Sequence, residues 1–234
     1  MNWMPKTRLS AAAPSVSPST GVKPGPVPSV APAANLRISN GLKEFLWLIS
    51  DVPHARVLDL GPVWQSTVSF FVDKGYRVTT EDLLRTWKDF LLAEEEHLRT
   101  APVGEETAKL SPSMLVGRFL QRALQYPEHS FHGILVWDLL DYFDAGVVPC
   151  LMERLNNLLH PGGAALALFH SRAAERFHRY RIVDSQTVEL LAAPTLAVHA
   201  HVFQNREILE LFGKFRSSKT FVGRDQVREG LFLK

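Results

Sequence analysis

Apolar residues recur at helical spacing over Leu42, Phe45, Leu46, Leu48 and Ile49, and Pro53 follows at once. That pattern predicts an amphipathic helix closed by a proline. Arg56-Val-Leu-Asp-Leu60 then reads as a short buried strand ending at Gly61. Residues 64–74 return to helical spacing, with Gly75 placed as a C-terminal cap. Tyr76–Thr80 is rich in strand formers and runs into Glu81-Asp82. Residues 83–100 predict a long amphipathic helix, with Glu94–Glu96 on its solvated face. Ser111-Pro112 predicts the start of another helix, stopped at Pro127.

The second half repeats the alternation. Gly133–Trp137 is an apolar run of strand length followed by Asp138, and a helix is expected over 145–159. After the turn His160-Pro-Gly-Gly163, Ala164–Phe169 predicts a buried strand ending at His170. Two strand segments are expected at 181–190 and 196–203, and a helix over 204–213. Phe215–Val222 and Gln226–Leu233 flank Gly223-Arg-Asp225, the pattern of a β-hairpin. Strands alternating with helices predict an α/β protein: an open, mostly parallel sheet with helices on both faces and a C-terminal antiparallel hairpin.

Composition refines this picture. Of the 234 residues, 46% are hydrophobic and 21% charged, enough for a sizeable core. No apolar run approaches the ~20 residues that would span a bilayer. The single cysteine, Cys150, cannot form an intramolecular disulfide, and a reducing cytoplasm is the expected compartment. Residues 1–37 hold seven of the 15 prolines, four basic side chains and no acid. They read as a disordered leader, with the folded domain over 38–234. The remainder carries 22 of the 26 basic residues against all 24 acids. The basic excess therefore lies in the leader, and a near-neutral body argues against nucleic-acid binding.

In an open parallel sheet, ligands bind outside the carboxyl ends of the strands. Three such ends are legible: Asp59-Leu-Gly61, Glu81-Asp82 and Trp137-Asp138. Glycine admits close backbone approach, and an acid after the second strand suits a ribose diol. Each has a plainer reading: Gly61 as a tight turn, Asp82 and Asp138 as helix caps, Trp137 as core. Asp59 is expected mainly to order the loop. His170, at the end of a strand and titrating near neutrality, is a candidate general base, or else a hydrogen-bonded structural histidine. The stretch Arg176–Arg181 is cationic and aromatic, read as an anion site or a solvated surface. His199-x-His201 lacks a third ligand, so no metal site is expected.

These residues together resemble the class I S-adenosylmethionine-dependent methyltransferases, over about residues 38–234. Val57-Leu-Asp-Leu-Gly61 looks like their first motif, Gly75–Asp82 like their second strand with its ribose-binding acid, Ser130–Phe143 like their fourth-strand motif, and Leu158–Gly163 like the loop before their fifth strand. The resemblance implies a Rossmann-like fold with a reversed seventh strand. It also implies S-adenosylmethionine as cofactor, held by Asp59, Gly61, Asp82, Trp137 and Asp138, and methyl transfer to a small-molecule acceptor. The chain departs from the family at the glycine loop, where Gly61-Pro-Val63-Trp-Gln65 keeps only the first glycine. No clear third strand lies between residues 83 and 130. These departures motivate an alternative, a catalytically inactive methyltransferase-like binding or regulatory module.

Overall fold

The computed structural model describes residues 35–100, 111–198, 200–223 and 225–234. The elements run β1 (Asn35–Ile38), α1 (Asn40–Ile49), β2 (Arg56–Asp59), α2 (Gln65–Asp73), β3 (Arg77–Thr80), α3 (Leu83–Thr100), α4 (Pro112–Leu120), β4 (Phe131–Trp137) and α5 (Val148–Leu158). There follow β5 (Leu159–His170), β6 (His178–Ile182), β7 (Thr187–Ala192), α6 (Asn205–Leu211), β8 (Ser217–Val222) and β9 (Val227–Leu233).

Six strands form one sheet in the order β3-β2-β4-β5-β9-β8. β2 pairs in parallel with β3 and β4, and β4 with β5. β9 runs antiparallel to both β5 and β8. This is the expected open sheet, Rossmann-like, with its reversed terminal strand. Alternation along the strands loads both faces. Ile134 and Val136 on β4, with Ala165, Ala167 and Phe169 on β5, face the cluster built with α3, α4, α5 and α6. Leu135 and Trp137, with Ala164, Leu166 and Leu168, face α1 and α2. Gly133 makes room for this packing, because a Cβ there would lie 2.5 Å from Phe45 Cζ.

Local signals hold where the chemistry is local. Ser39 caps α1 by accepting from Leu42 N at 2.9 Å, and Ser111 caps α4 with proline at its start. Gly75 takes φ +81° just beyond α2, a left-handed conformation that glycine adopts without strain.

Other expectations are corrected by tertiary contacts. Residues 35–37, expected in the leader, are built into the fold, because β1 pairs with β7 and Arg37 is bonded to Asp225 and Glu229. Residues 1–34, most of the expected leader, lie outside the described residues. α4 ends at Leu120 rather than near Tyr126, since the carbonyls of Leu124 and Tyr126 turn to Arg154 at 2.6 and 2.8 Å. The strand expected over 181–190 is instead a hairpin, β6 and β7, with a turn in which Asp184 accepts from Gln186 N at 2.8 Å. With β1 this hairpin makes a second, antiparallel sheet in the order β1-β7-β6. No strand forms over the described residues of 196–203. There the N–H groups of Ala200 and His201 bond the Asp141 carbonyl.

Candidate functional site

The strand order reverses between β2 and β4, which is where an open α/β sheet leaves a crevice at its carboxyl edge. β2 delivers Asp59 to this point, 2% exposed among apolar neighbours. One oxygen, Oδ1, accepts from Gly61 N at 2.9 Å and from Trp137 Nε1 at 2.6 Å. Burial pushes the Asp59 carboxyl up to about 6, against the lowering effect of these two donors. Trp137 adopts φ +55° beside a register shift in the β4–β5 ladder, an uncommon conformation for a bulky residue. Its indole lies beside Gly61. A Cβ on Gly61 would meet Trp137 Nε1 at 3.0 Å and Asp59 Oδ1 at 3.1 Å. The space that the glycine opens is thus taken by the chain's own indole.

β6 crosses the same crevice. Tyr180 stacks on Trp137 with ring centroids 5.3 Å apart and planes within 2°. Its hydroxyl donates to Asp138 Oδ2 at 3.0 Å. Burial raises the Asp138 carboxyl to about 6, partly offset by the nearby His170. Arg179 Nη2 lies 2.9 and 3.0 Å from the two oxygens of Asp82. The guanidinium also sits 5.0 Å from the centre of the Phe177 ring. Asp82 performs its plainer role as well, capping α3 through Arg85 N at 3.3 Å. What is left between Gly61, Trp137, Asp138 and Phe177–Tyr180 is a cavity of about 20 Å³. That is room for about one water, against the ~300 Å³ or more of a small-molecule pocket. A nucleoside cofactor does not fit the crevice as arranged.

The bulky loop residues are not what fills it. Val63 is 65% exposed, and Gln65 is exposed and bonded to Ser69. Closure comes from a segment more than 110 residues away in the chain.

The end of β5 is different. His170 Nδ1 lies 2.9 Å from Asp141 Oδ2, which also accepts from His170 N at 2.8 Å, and Asp138 Oδ2 is 3.9 Å away. Burial lowers the His170 pKa, but the Asp141 hydrogen bond and the charges of Asp138, Asp141 and Asp225 together raise it. Beside it opens a cavity of about 240 Å³, whose lining includes Arg172, Arg176, His178 and Asp225. His178 borders the closed crevice too.

The structure thus brings Asp59, Gly61, Asp82, Trp137 and Asp138 to one crevice and places His170 at its edge. Sequence reasoning missed Asp141 and the inward turn of Arg179 and Tyr180. Arg179, expected on an anion site or a solvated surface, is half-buried against Asp82. Arg181 pairs with Glu189 across the β6–β7 ladder, a contact that hairpin alternation would have signalled. Of the two histidines weighed for metal, His201 bonds Glu207 at 3.0 Å and His199 lies outside the described residues. A cavity of about 550 Å³ between α5 and α6, lined by Met152, Phe203 and Phe215 among others, lies off the strand ends. It uses none of the sequence-predicted site residues.

No family model and no curated protein matches this chain. Solved structures do. A S-adenosylmethionine-dependent methyltransferase from Methanosarcina mazei is 16% identical, at a TM-score of 0.41, over 78% of this chain and 93% of that one. The 1,6-didemethyltoxoflavin-N1-methyltransferase of Burkholderia thailandensis, solved with S-adenosylhomocysteine, is 19% identical at 0.41, over 84% and 79%. The glycopeptide N-methyltransferase MtfA, solved with S-adenosylmethionine, is 15% identical at 0.40, over 83% and 94%. This chain's own strand order, β3-β2-β4-β5-β9-β8 with β9 reversed, defines its fold.

Proposed function

We propose that this chain is a S-adenosylmethionine-dependent methyltransferase acting on a small molecule, with its donor crevice closed in the arrangement described. The observation that carries the reading is the convergence of Gly61, Asp82 and Asp138 on the switch point of a sheet whose terminal strand is reversed. A methyl donor of this kind carries its own activated sulfonium, so the protein's work is positioning and charge screening. In this reading Asp82 takes the ribose diol once Arg179 withdraws, and Asp59 fixes the Gly61 turn. Asp138 faces the donor's polar end. His170, oriented by Asp141, takes a proton from an acceptor seated in the neighbouring cavity. The basic rim of Arg172 and Arg176 favours an anionic acceptor.

A second reading is favoured by a specific observation. The crevice is filled by the chain's own side chains, as expected of a methyltransferase-like module that binds no donor. Isothermal titration with S-adenosylmethionine separates the two. Saturable binding that is lost in Asp82→Ala supports the enzyme. Absence of heat at millimolar ligand, both in the native chain and after Arg179→Gln, leaves the module.

A further inference from the structure

We infer that strand β6 is a removable internal occupant of the crevice, latched there by Arg179 and Tyr180. As to the donor it would exclude, the inference rests on the methyltransferase reading. Every acid that a nucleoside would need at this site is already engaged by the chain itself. Asp82 holds a guanidinium, Asp138 a phenol and Asp59 an indole. A stack of two aromatic rings fills the space between them. The crevice is therefore not worn away but satisfied from within.

The topology suits a cover that can lift. β6 is the edge strand of its sheet, in the order β1-β7-β6, so its ladder hydrogen bonds all go to β7. Toward the body its polar contacts are side-chain latches: Arg179 to Asp82, Tyr180 to Asp138, and Ile182 N to Thr67 Oγ1 at 3.1 Å. The hairpin can release them without breaking its own ladder. The segment entering β6 supports this, since Ser171, Arg172, Ala173, Glu175 and Arg176 are all exposed. The root of the small sheet is fixed instead by buried charge. Arg37 on β1 is bonded to Glu229 and Asp225, and Glu229 accepts from Gly41 N at 2.5 Å. A ligand that needs the open form binds more weakly in proportion to the fraction open. Removing a latch therefore raises affinity without adding a contact.

The test uses the full chain, Arg179→Gln and Tyr180→Phe, with circular dichroism to establish that each variant is folded. Hydrogen exchange of the Ile182 amide, which bonds Thr67 on the body and not β7, is read first, without ligand. In Arg179→Gln it is expected to rise about tenfold over the native chain, with a smaller rise in Tyr180→Phe. S-adenosylmethionine is then titrated, and about tenfold tighter binding is expected in Arg179→Gln. Faster exchange with tighter binding supports both the latch and the donor reading. Faster exchange with no donor binding in any form supports the latch and removes the donor reading. Exchange unchanged in both folded variants overturns the latch, whether or not the donor binds.

Discussion

Two neighbouring recesses on the same sheet edge have opposite character. The crevice between β2 and β4 is closed to about 20 Å³, while the one at the end of β5 keeps about 240 Å³. A single stretch of chain, 172–180, borders both, and it supplies arginines to each. The difference lies in what each arginine meets. Arg179 reaches a carboxylate, Asp82, at the end of β3, and draws the strand down. Arg172 and Arg176 reach no carboxylate among the described residues and stay exposed. Asp225, which lines their cavity, is already bonded to Arg37. A cationic segment thus becomes a lid or a rim according to whether an unclaimed acid stands opposite.

The comparison is broken most severely at its root. Arg37→Ala strands Glu229, 1% exposed, without its cation. Removing one partner of such a pair costs about 3–5 kcal/mol. Urea denaturation of the variant should show that loss together with faster exchange in β6, and a loss below about 1 kcal/mol would mean the small sheet is anchored elsewhere.

A middle-sized effect distinguishes the recesses by pH. Asp59 and Asp138 ionise near 6 when folded, against an ordinary value of 3.8. Between those values the folded chain holds protons that the unfolded chain has released. Stability therefore falls as pH rises from about 4 to about 6, by about 1–3 kcal/mol for each carboxyl, and this contribution is flat above. Asp138→Asn should remove one share of the slope in denaturation curves measured across that range. An unchanged slope would show that Asp138 is not desolvated by the Tyr180 cover.

The smallest effect belongs to the open recess. Arg172→Glu combined with Arg176→Glu should change stability by no more than about 0.5 kcal/mol, because both side chains sit in water. A thermal melt showing several times that loss would make them structural, as Arg179 is, and erase the contrast.

Much of this was legible one strand at a time. Val57, Leu58 and Asp59 declare a buried strand with an acid at its end, Gly75 declares a left-handed cap, and Ser111-Pro112 declares a helix start. These rest on preferences acting over a few residues. The crevice residues were legible for the same reason, as each ends a strand. The closure was not. Arg179 to Asp82 spans 97 residues, His170 to Asp141 spans 29, and Arg37 to Glu229 spans 192. No local pattern distinguishes the Arg179 that turns inward from the Arg176 that stays out.

The sequence by itself determined the alternating elements, the sheet with its reversed last strand, and the glycine and acids at the strand ends, because periodicity and turn chemistry are properties of neighbours in the chain. Only the tertiary structure decided that β6 lies in the crevice, that Tyr180 covers Trp137, and that Asp82 is spoken for. Those outcomes depend on which buried charge finds which partner across the fold, and the cost of leaving a carboxylate desolvated and unpaired is felt only after the chain has packed.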